Sequence, residues 1–537
     1  MNQTTLATLA MIVALPVAAA ADDAPGKPAS KPPHFTPTEA TSNGSVIVGG
    51  AKIDYQAVAG TLVVHPKGYD DAAPPEAPGD EKQGDEDKNP TAEASMFYVA
   101  YFARTAGNTP RPMTFLYNGG PGSSTVWLHM GAFGPLRVII PDATHAPAAP
   151  YHVANNDESL LDVSDVVFID APGTGFGRVE GHDKEKAFYG IDQDAHAFAE
   201  FITKFLAKYH RYNAPKYLFG ESYGTTRSAV LANLLQEKYG LDLNGVVLLS
   251  QILSFDLSAD GPDDNPGVSL PYELALPTYA ATAWYHHKLD KRFGDLPAFL
   301  REVEGFALGD YASALAQGAA LPADKRAAII GKLHDYTGLP AAYIDRADLR
   351  VDGGEFEQNL QGDDDITTGR LDTRFSGPAI DPLSKEADYD PQSAAISSAY
   401  ISTFNDYVRQ VLKYGDGRTY VAEVDMDKLW DFKHALPGSD EPDPTRPANV
   451  MPDLAHALKT NPTLKVQLNA GYFDLATPYF EGVYEMHHLP MEASLQGNIE
   501  YRTYRSGHMV YANPEALKLL HDNVADFIRR TDNLAAK

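Results

Sequence analysis

Residues 220–224 read Gly-Glu-Ser-Tyr-Gly, and their flanks constrain the chain more than the pentapeptide does. Before them, Lys216-Tyr217-Leu218-Phe219 is a short apolar run of the kind that forms a buried strand. After them, Thr225 to Tyr239 carries Ala229, Leu231, Leu234 and Leu235 with helical periodicity. A strand, a tight turn with serine at its apex and a helix make a nucleophile elbow, which lifts a hydroxyl above the edge of a parallel sheet. The flanking glycines fit, because a side chain collides in so tight a turn. The expectation is a serine hydrolase centred on Ser222, against the competing reading of a chance pentapeptide.

The rest of the chain repeats that rhythm. Met96 to Phe102, Thr114 to Tyr117, Val166 to Ile169, Val246 to Leu249 and Lys465 to Leu468 are further strand-like runs. Phe198, Phe201, Ile202, Phe205 and Tyr209 mark a helix between two of them. Strands alternating with helices predict an α/β fold, its central sheet mostly parallel and flanked by helices on both faces. Residues 45–65 read as a β-hairpin, and Asn513-Pro514 reads as a cap and first turn opening a last helix through about Ile528. Residues 256–455 break the pattern and are expected to form a large cap inserted over the sheet edge. The expected organisation is therefore a signal peptide (1–21), an N-terminal lead, hairpin and acidic loop (22–95), the first part of the core (96–255), the cap (256–455) and the second part of the core (456–537).

Met11 to Ala21 is an apolar run ending in small residues and followed by Asp22-Asp23, the pattern of a secretory signal peptide. Residues 2–10 hold no Lys or Arg, which departs from the usual positive start. The run is short for a membrane span. The expectation is a periplasmic or secreted protein with no membrane attachment after cleavage. With no cysteine, it must rely on its core rather than on disulfides. The formal net charge of −28 repels phosphate backbones, so nucleic acid is excluded as an expected partner. The acidic stretch at residues 68–94 reads as solvated surface. Oligomeric state leaves no trace in the sequence.

A serine hydroxyl needs a base to take its proton and a third group to orient that base. In this fold class the order along the chain is Ser, acid, His. Asp474, in Asn469-Ala470-Gly471-Tyr472-Phe473-Asp474, stands just beyond a strand. His508, in Arg505-Ser506-Gly507-His508-Met509-Val510, stands in a glycine-containing loop before the last helix. The pairs His286-His287 and His487-His488 lack metal-site spacing, and Gly173, Gly175 and Gly177 do not make a dinucleotide fingerprint. Neither a metal nor a cofactor is expected.

Four ordered motifs, Asn118-Gly119-Gly120-Pro121-Gly122-Ser123-Ser124, Gly220-Glu221-Ser222-Tyr223-Gly224, Gly471 to Asp474 and Gly507-His508-Met509-Val510, together resemble the serine carboxypeptidases. The segment from Val166 to Gly177 resembles that family's strand and loop as well. The resemblance covers about residues 96–255 and 460–530. It implies the α/β-hydrolase fold and a peptidase that removes single residues from peptide C-termini through an acyl-enzyme. Ser222, His508 and Asp474 then take the roles of nucleophile, base and orienting acid. The backbone N–H groups of Gly120 and Tyr223 form the oxyanion hole. Asn118 and Glu221 bind the terminal carboxylate of the peptide substrate. Glu221 serves there only when protonated, since two carboxylates repel, which favours acid pH. The chain departs from the family at Leu116, where a Trp is usual, at Ala132, where a Glu is usual, and at Ser123, where a Cys is usual. Trp127 and His129 are the nearby side chains available to compensate. An esterase or acyltransferase on the same triad is the alternative, and a non-catalytic binding protein on a hydrolase fold is the third reading.

Overall fold

The computed structural model describes residues 35–70, 90–104, 111–289, 293–439 and 441–534. The apolar N-terminal run and residues 71–89 of the acidic stretch lie outside them. The central sheet is built from β1 (Glu39–Val48), β2 (Ala51–Val64), β3 (Glu93–Ala103), β4 (Met113–Tyr117), β5 (Asp165–Ile169), β6 (Lys216–Glu221), β7 (Gly245–Leu249), β8 (Lys465–Gly471) and β9 (Ile499–Tyr504). Their spatial order is β1-β2-β3-β5-β4-β6-β7-β8-β9, and a short strand, Arg178–Glu180, pairs with β3 off this path. The pairs from β5 through β9 are parallel, while β1, β2 and β3 run antiparallel at one side. This is the mostly parallel α/β sheet expected from the alternating pattern.

Strands β4, β5, β6 and β7 are buried at every residue, as strands covered on both faces must be. Phe198, Phe201, Ile202 and Phe205 of α1 (Ile191–Lys208) and Leu231 and Leu235 of α2 (Tyr223–Tyr239) cover one face together with Phe115, Leu218 and Leu248. Leu517, Leu520, Val524 and Phe527, from the last helix (Pro514–Thr531), cover the other with Leu116, Phe219 and Leu249. That helix opens as the sequence implies: the Asn513 side chain accepts from the Ala516 N–H at 2.8 Å. The hairpin begins at Glu39, earlier than residue 45, because its first residues form an exposed edge strand whose polar side chains carry no apolar signal.

After β7 the chain leaves the sheet and returns at β8. Between them, α3 (Leu270–Tyr285) and its neighbours build a core of their own against Phe473, Leu475 and Tyr479. Two other helices of this stretch join the sheet layers. The helix α4 (Pro391–Gln410) buries Ile396, Tyr400, Phe404 and Tyr407 on one side, and α5 (Met451–Thr460) buries Leu454 and Leu458 on the other. The inserted stretch is thus anchored by apolar packing, and α4 lines one cavity with Glu221 at the C-terminal end of β6.

Candidate active site

Ser222 stands between β6 and α2 with φ 59° and ψ −131°. A non-glycine residue in that region is strained by roughly 1–3 kcal/mol and stays there only if its surroundings hold it. They do: the Ser222 N–H donates to the Leu249 carbonyl at 3.0 Å, and its own carbonyl accepts from Thr225 N–H and Oγ1, both at 2.7 Å. The first pentapeptide glycine is required by contact. A Cβ on Gly220 would stand 2.1 Å from the Gly224 carbonyl oxygen.

Asp474 and His508 sit in turns after β8 and β9. The two turns abut at Gly471, where a Cβ would lie 2.2 Å from the carbonyl oxygens of both Ser506 and Gly507. His508 Nδ1 meets Asp474 Oδ2 at 2.9 Å. Asp474 is fully buried and also accepts from Thr477 N–H at 3.0 Å and Thr477 Oγ1 at 2.8 Å. The imidazole backbone is tied down too: His508 N–H donates to Leu371 at 2.6 Å, and its carbonyl accepts from Ser250 Oγ at 2.7 Å. Burial alone lowers the basicity of the ring, but the charge and hydrogen bond of Asp474, with the charge of Glu221, outweigh it and raise His508 above the usual histidine value. Ser222 and His508 face one cavity of about 190 Å³, which Asn118, Gly119, Gly120, Trp127 and Glu221 also line.

The other expected site residues gather at the same place. Gly120 has φ +101°, which glycine tolerates. Tyr223 is the first residue of α2, so its N–H has no intrahelical acceptor. Gly119 presses against it, a Cβ there being 2.4 Å from the Tyr223 nitrogen. Asn118 Oδ1 accepts from the Leu128 N–H at 3.1 Å, which leaves its NH₂ group to donate toward Glu221 and the cavity. Burial pushes the Glu221 carboxyl up to about 7, opposed by the charge of His508 and by hydrogen bonds from Tyr511 and Asn118. The Tyr511 hydroxyl donates to the two Glu221 oxygens at 2.9 and 3.1 Å.

Of the two side chains considered as compensating, Trp127 lines the cavity and donates to Ser123 Oγ at 2.9 Å. His129 does not serve there. It is buried in the core, stacked on Phe168 at 4.3 Å and bonded through Nε2 to the Tyr101 hydroxyl at 2.7 Å, and burial holds its pKa down at about 3.

Several participants escaped sequence reasoning. Thr477 and Tyr511 are three residues beyond Asp474 and His508, respectively, and only the fold turns them back onto the site. Arg227 is fully buried on α2. Its Nε donates to Asp194 Oδ2 at 2.6 Å, and its Nη1 donates to the Asn118 carbonyl at 2.8 Å, so it ties the glycine-rich loop to two core helices. A charge inside an apolar helical pattern was the visible signal. From the inserted stretch come Arg370, Gln392 and Ile396, all on the cavity wall.

Residues 77–253 match the family model described as serine carboxypeptidase. Over that stretch the chain is similar to the serine carboxypeptidases, and it is a serine hydrolase. No curated protein matches it in sequence. Among solved structures it is similar to Kex1(delta)p, a prohormone-processing carboxypeptidase from Saccharomyces cerevisiae, at 16% identity and a TM-score of 0.50, over 88% of this chain and 91% of that one. That likeness shows the α/β-hydrolase fold. A proline iminopeptidase from Mycobacterium smegmatis (14% identity, TM-score 0.33, 92% of this chain and 100% of that one) and the peroxisomal α/β-hydrolase Lpx1 from Saccharomyces cerevisiae (10%, 0.33, 88% and 89%) also align.

Proposed function

We propose that this protein is a serine-type carboxypeptidase that cleaves C-terminal peptide bonds through an acyl-enzyme, and that it favours acid pH on free-acid peptides. The observation that carries the reading is Glu221. A carboxyl group with a pKa of about 7 is buried beside Ser222 on the wall of the same cavity. A protonated carboxyl there donates a hydrogen bond to a substrate carboxylate, and an ionised one repels it.

Each remaining residue has a role in this reading. Ser222 attacks the scissile carbonyl, and His508 takes the serine proton and returns it to the leaving amine. Asp474 holds the imidazole with its Nδ1–H toward the carboxylate, which leaves Nε2 as the base. Gly120 and Tyr223 N–H groups receive the oxyanion, a contribution of about 3–4 kcal/mol per donor. Asn118, through its NH₂ group, and protonated Glu221 receive the terminal carboxylate. Water resolves the acyl-enzyme. The apolar N-terminal run supports export to the periplasm or beyond.

The test is turnover of a blocked dipeptide, its C-terminal amide and a short acyl ester, with Ser222→Ala as control. Release from the free acid in preference to the amide supports the proposal. Ester turnover alone would assign the same triad to an esterase or acyltransferase. Organophosphonate labelling that persists in Ser222→Ala would remove the nucleophile.

A further inference from the structure

The amide of Gln392 is fully buried on the wall of the catalytic cavity, and among the described residues neither its nitrogen nor its oxygen has a hydrogen-bond partner. A buried amide left unpaired costs about 1–3 kcal/mol, so an unpaired one facing an active-site cavity marks a group kept for something that binds there. We propose that Gln392 is a substrate ligand, its NH₂ group donating to the terminal carboxylate of the leaving residue beside Asn118 and Glu221.

The placement of α4 supports this assignment. Gln392, Ile396 and Tyr400 are spaced i, i+4, i+8 and share one face of the helix. Tyr400 packs on Trp127 with ring centroids 5.5 Å apart and lies within the field of the Glu221 carboxylate. Ile396 and Gln392 follow on the same face, and both line the cavity. Gln392 is also held firmly. Asp390 caps the helix by accepting from Ser393 N–H at 2.8 Å, and it accepts from Arg370 N–H at 2.8 Å and Leu371 N–H at 3.2 Å. This joins the start of α4 to the segment that supports His508.

The chemistry of the wall selects the ligand. A carboxylate offers about four acceptor sites and, once desolvated, needs several donors. The Arg370 guanidinium is already committed to Asp260, with Nε donating to Oδ1 at 3.0 Å and Nη2 to Oδ2. Glu221 donates only when protonated. Gln392 donates at any pH, and with Asn118 it supplies the part of carboxylate recognition that does not titrate.

The inference rests on the exopeptidase reading above, and one set of measurements separates the two. Gln392→Leu is assayed on the blocked dipeptide and the acyl ester, and in the Ser222→Ala background its affinity for the dipeptide is measured by calorimetry. The expected result is a KM for the free acid raised roughly tenfold to a hundredfold, with kcat and ester turnover within about twofold. Dipeptide affinity falls by the same factor, and the melting temperature is unchanged or higher because an unpaired buried amide has been removed. Gln392→Glu keeps the shape of the side chain and places a second titrating carboxyl at the site, so its free-acid activity moves to lower pH. Unchanged KM and affinity in Gln392→Leu, equal losses on acid and ester, or a lowered melting temperature would each overturn the assignment. An unshifted profile in Gln392→Glu would do the same. If the wild-type enzyme shows no preference for the free acid, the exopeptidase reading has failed. If it shows that preference and Gln392→Leu retains it, only the role of Gln392 has failed.

Discussion

Arg227 joins stability to catalysis, and two variants separate those contributions. Its side chain and that of Asp194 are both essentially inaccessible, with Nε to Oδ2 at 2.6 Å and Nη2 to Oδ1 at 3.3 Å. The ring of Phe198 lies 4.2 Å from the guanidinium carbon. Replacing Arg227 with Met leaves the Asp194 carboxylate buried and unpaired, a loss of about 3–5 kcal/mol. Replacing both, as Asp194→Leu with Arg227→Met, removes the stranded charge, and apolar substitutes for a buried pair are often neutral or better. The double variant therefore recovers most of the stability, which urea unfolding measures as a restored midpoint with an unchanged slope. It does not recover the third bond of Arg227, the one to the Asn118 carbonyl at 2.8 Å. The glycine-rich loop next to that carbonyl presents the Gly120 N–H, and a displacement of about 1 Å at such a donor costs up to ~100-fold in rate. Ester turnover, which needs no carboxylate recognition, is expected to stay depressed in both variants. A double variant as unstable as the single would refute the electrostatic argument. One that regained full ester activity would refute the positioning argument.

Three other outcomes follow from the site and its supports. Asp474→Asn is expected to lower kcat about 10⁴-fold with the fold intact, because the amide presents the wrong partner to Nδ1; circular dichroism and ester kinetics check both halves. Thr477→Val removes the hydroxyl that donates to Asp474 Oδ2 at 2.8 Å, so kcat falls about tenfold by the loss of one bond to a charged acceptor, and Thr477→Ser restores it. His434 bridges Asp192 at 2.5 Å and Asp453 at 2.7 Å; burial disfavours its charge, but those two bonds outweigh burial and lift it to about 9. A raised pKa adds stability that is complete below the unfolded value near 6.5 and disappears as pH climbs through about 9, so His434→Gln should shrink the fall in melting temperature between pH 7 and pH 10.

What could be read from the sequence divides by range. The elbow was legible because its determinants are local: an apolar run, two glycines that contact one another's surroundings, and a helical period. The strands from β3 to β8 were legible because full burial leaves continuous apolar runs. Strand β9 left no such run: its middle residues, Glu500 to Thr503, are only half-buried at the sheet edge. Asp474 and His508 were recognisable as late residues after strand-like segments, but the turns that bring them together depend on the close contact at Gly471. Tyr511 and Gln392 had no signal, since each acquires its meaning from an element packed across the cavity. Arg227 went unread because its partner lies 33 residues away on another helix. His129 shows the opposite error: it is near the site in sequence, yet its side chain turns into the core.

Glu221 and His508 titrate against each other, and that opposition shapes the pH dependence. The charge of Glu221 raises His508, and the charge of His508 lowers Glu221. On the proposed mechanism, free-acid turnover needs Glu221 protonated and His508 neutral, a form with one shared proton. Its profile is therefore bell-shaped: it falls at acid pH when both groups are protonated and at alkaline pH when both have lost their protons. Ester turnover needs only neutral His508, so it keeps the acid limb and has no alkaline one near 7. Glu221→Gln deletes a charge that raises His508. The alkaline limb on the free acid should vanish, and the acid limb on the ester should move to lower pH, because the imidazole loses one of its supports. An acid limb that stays in place in Glu221→Gln would mean that the two groups do not sense each other, and the geometry of the shared cavity would then have no electrostatic consequence.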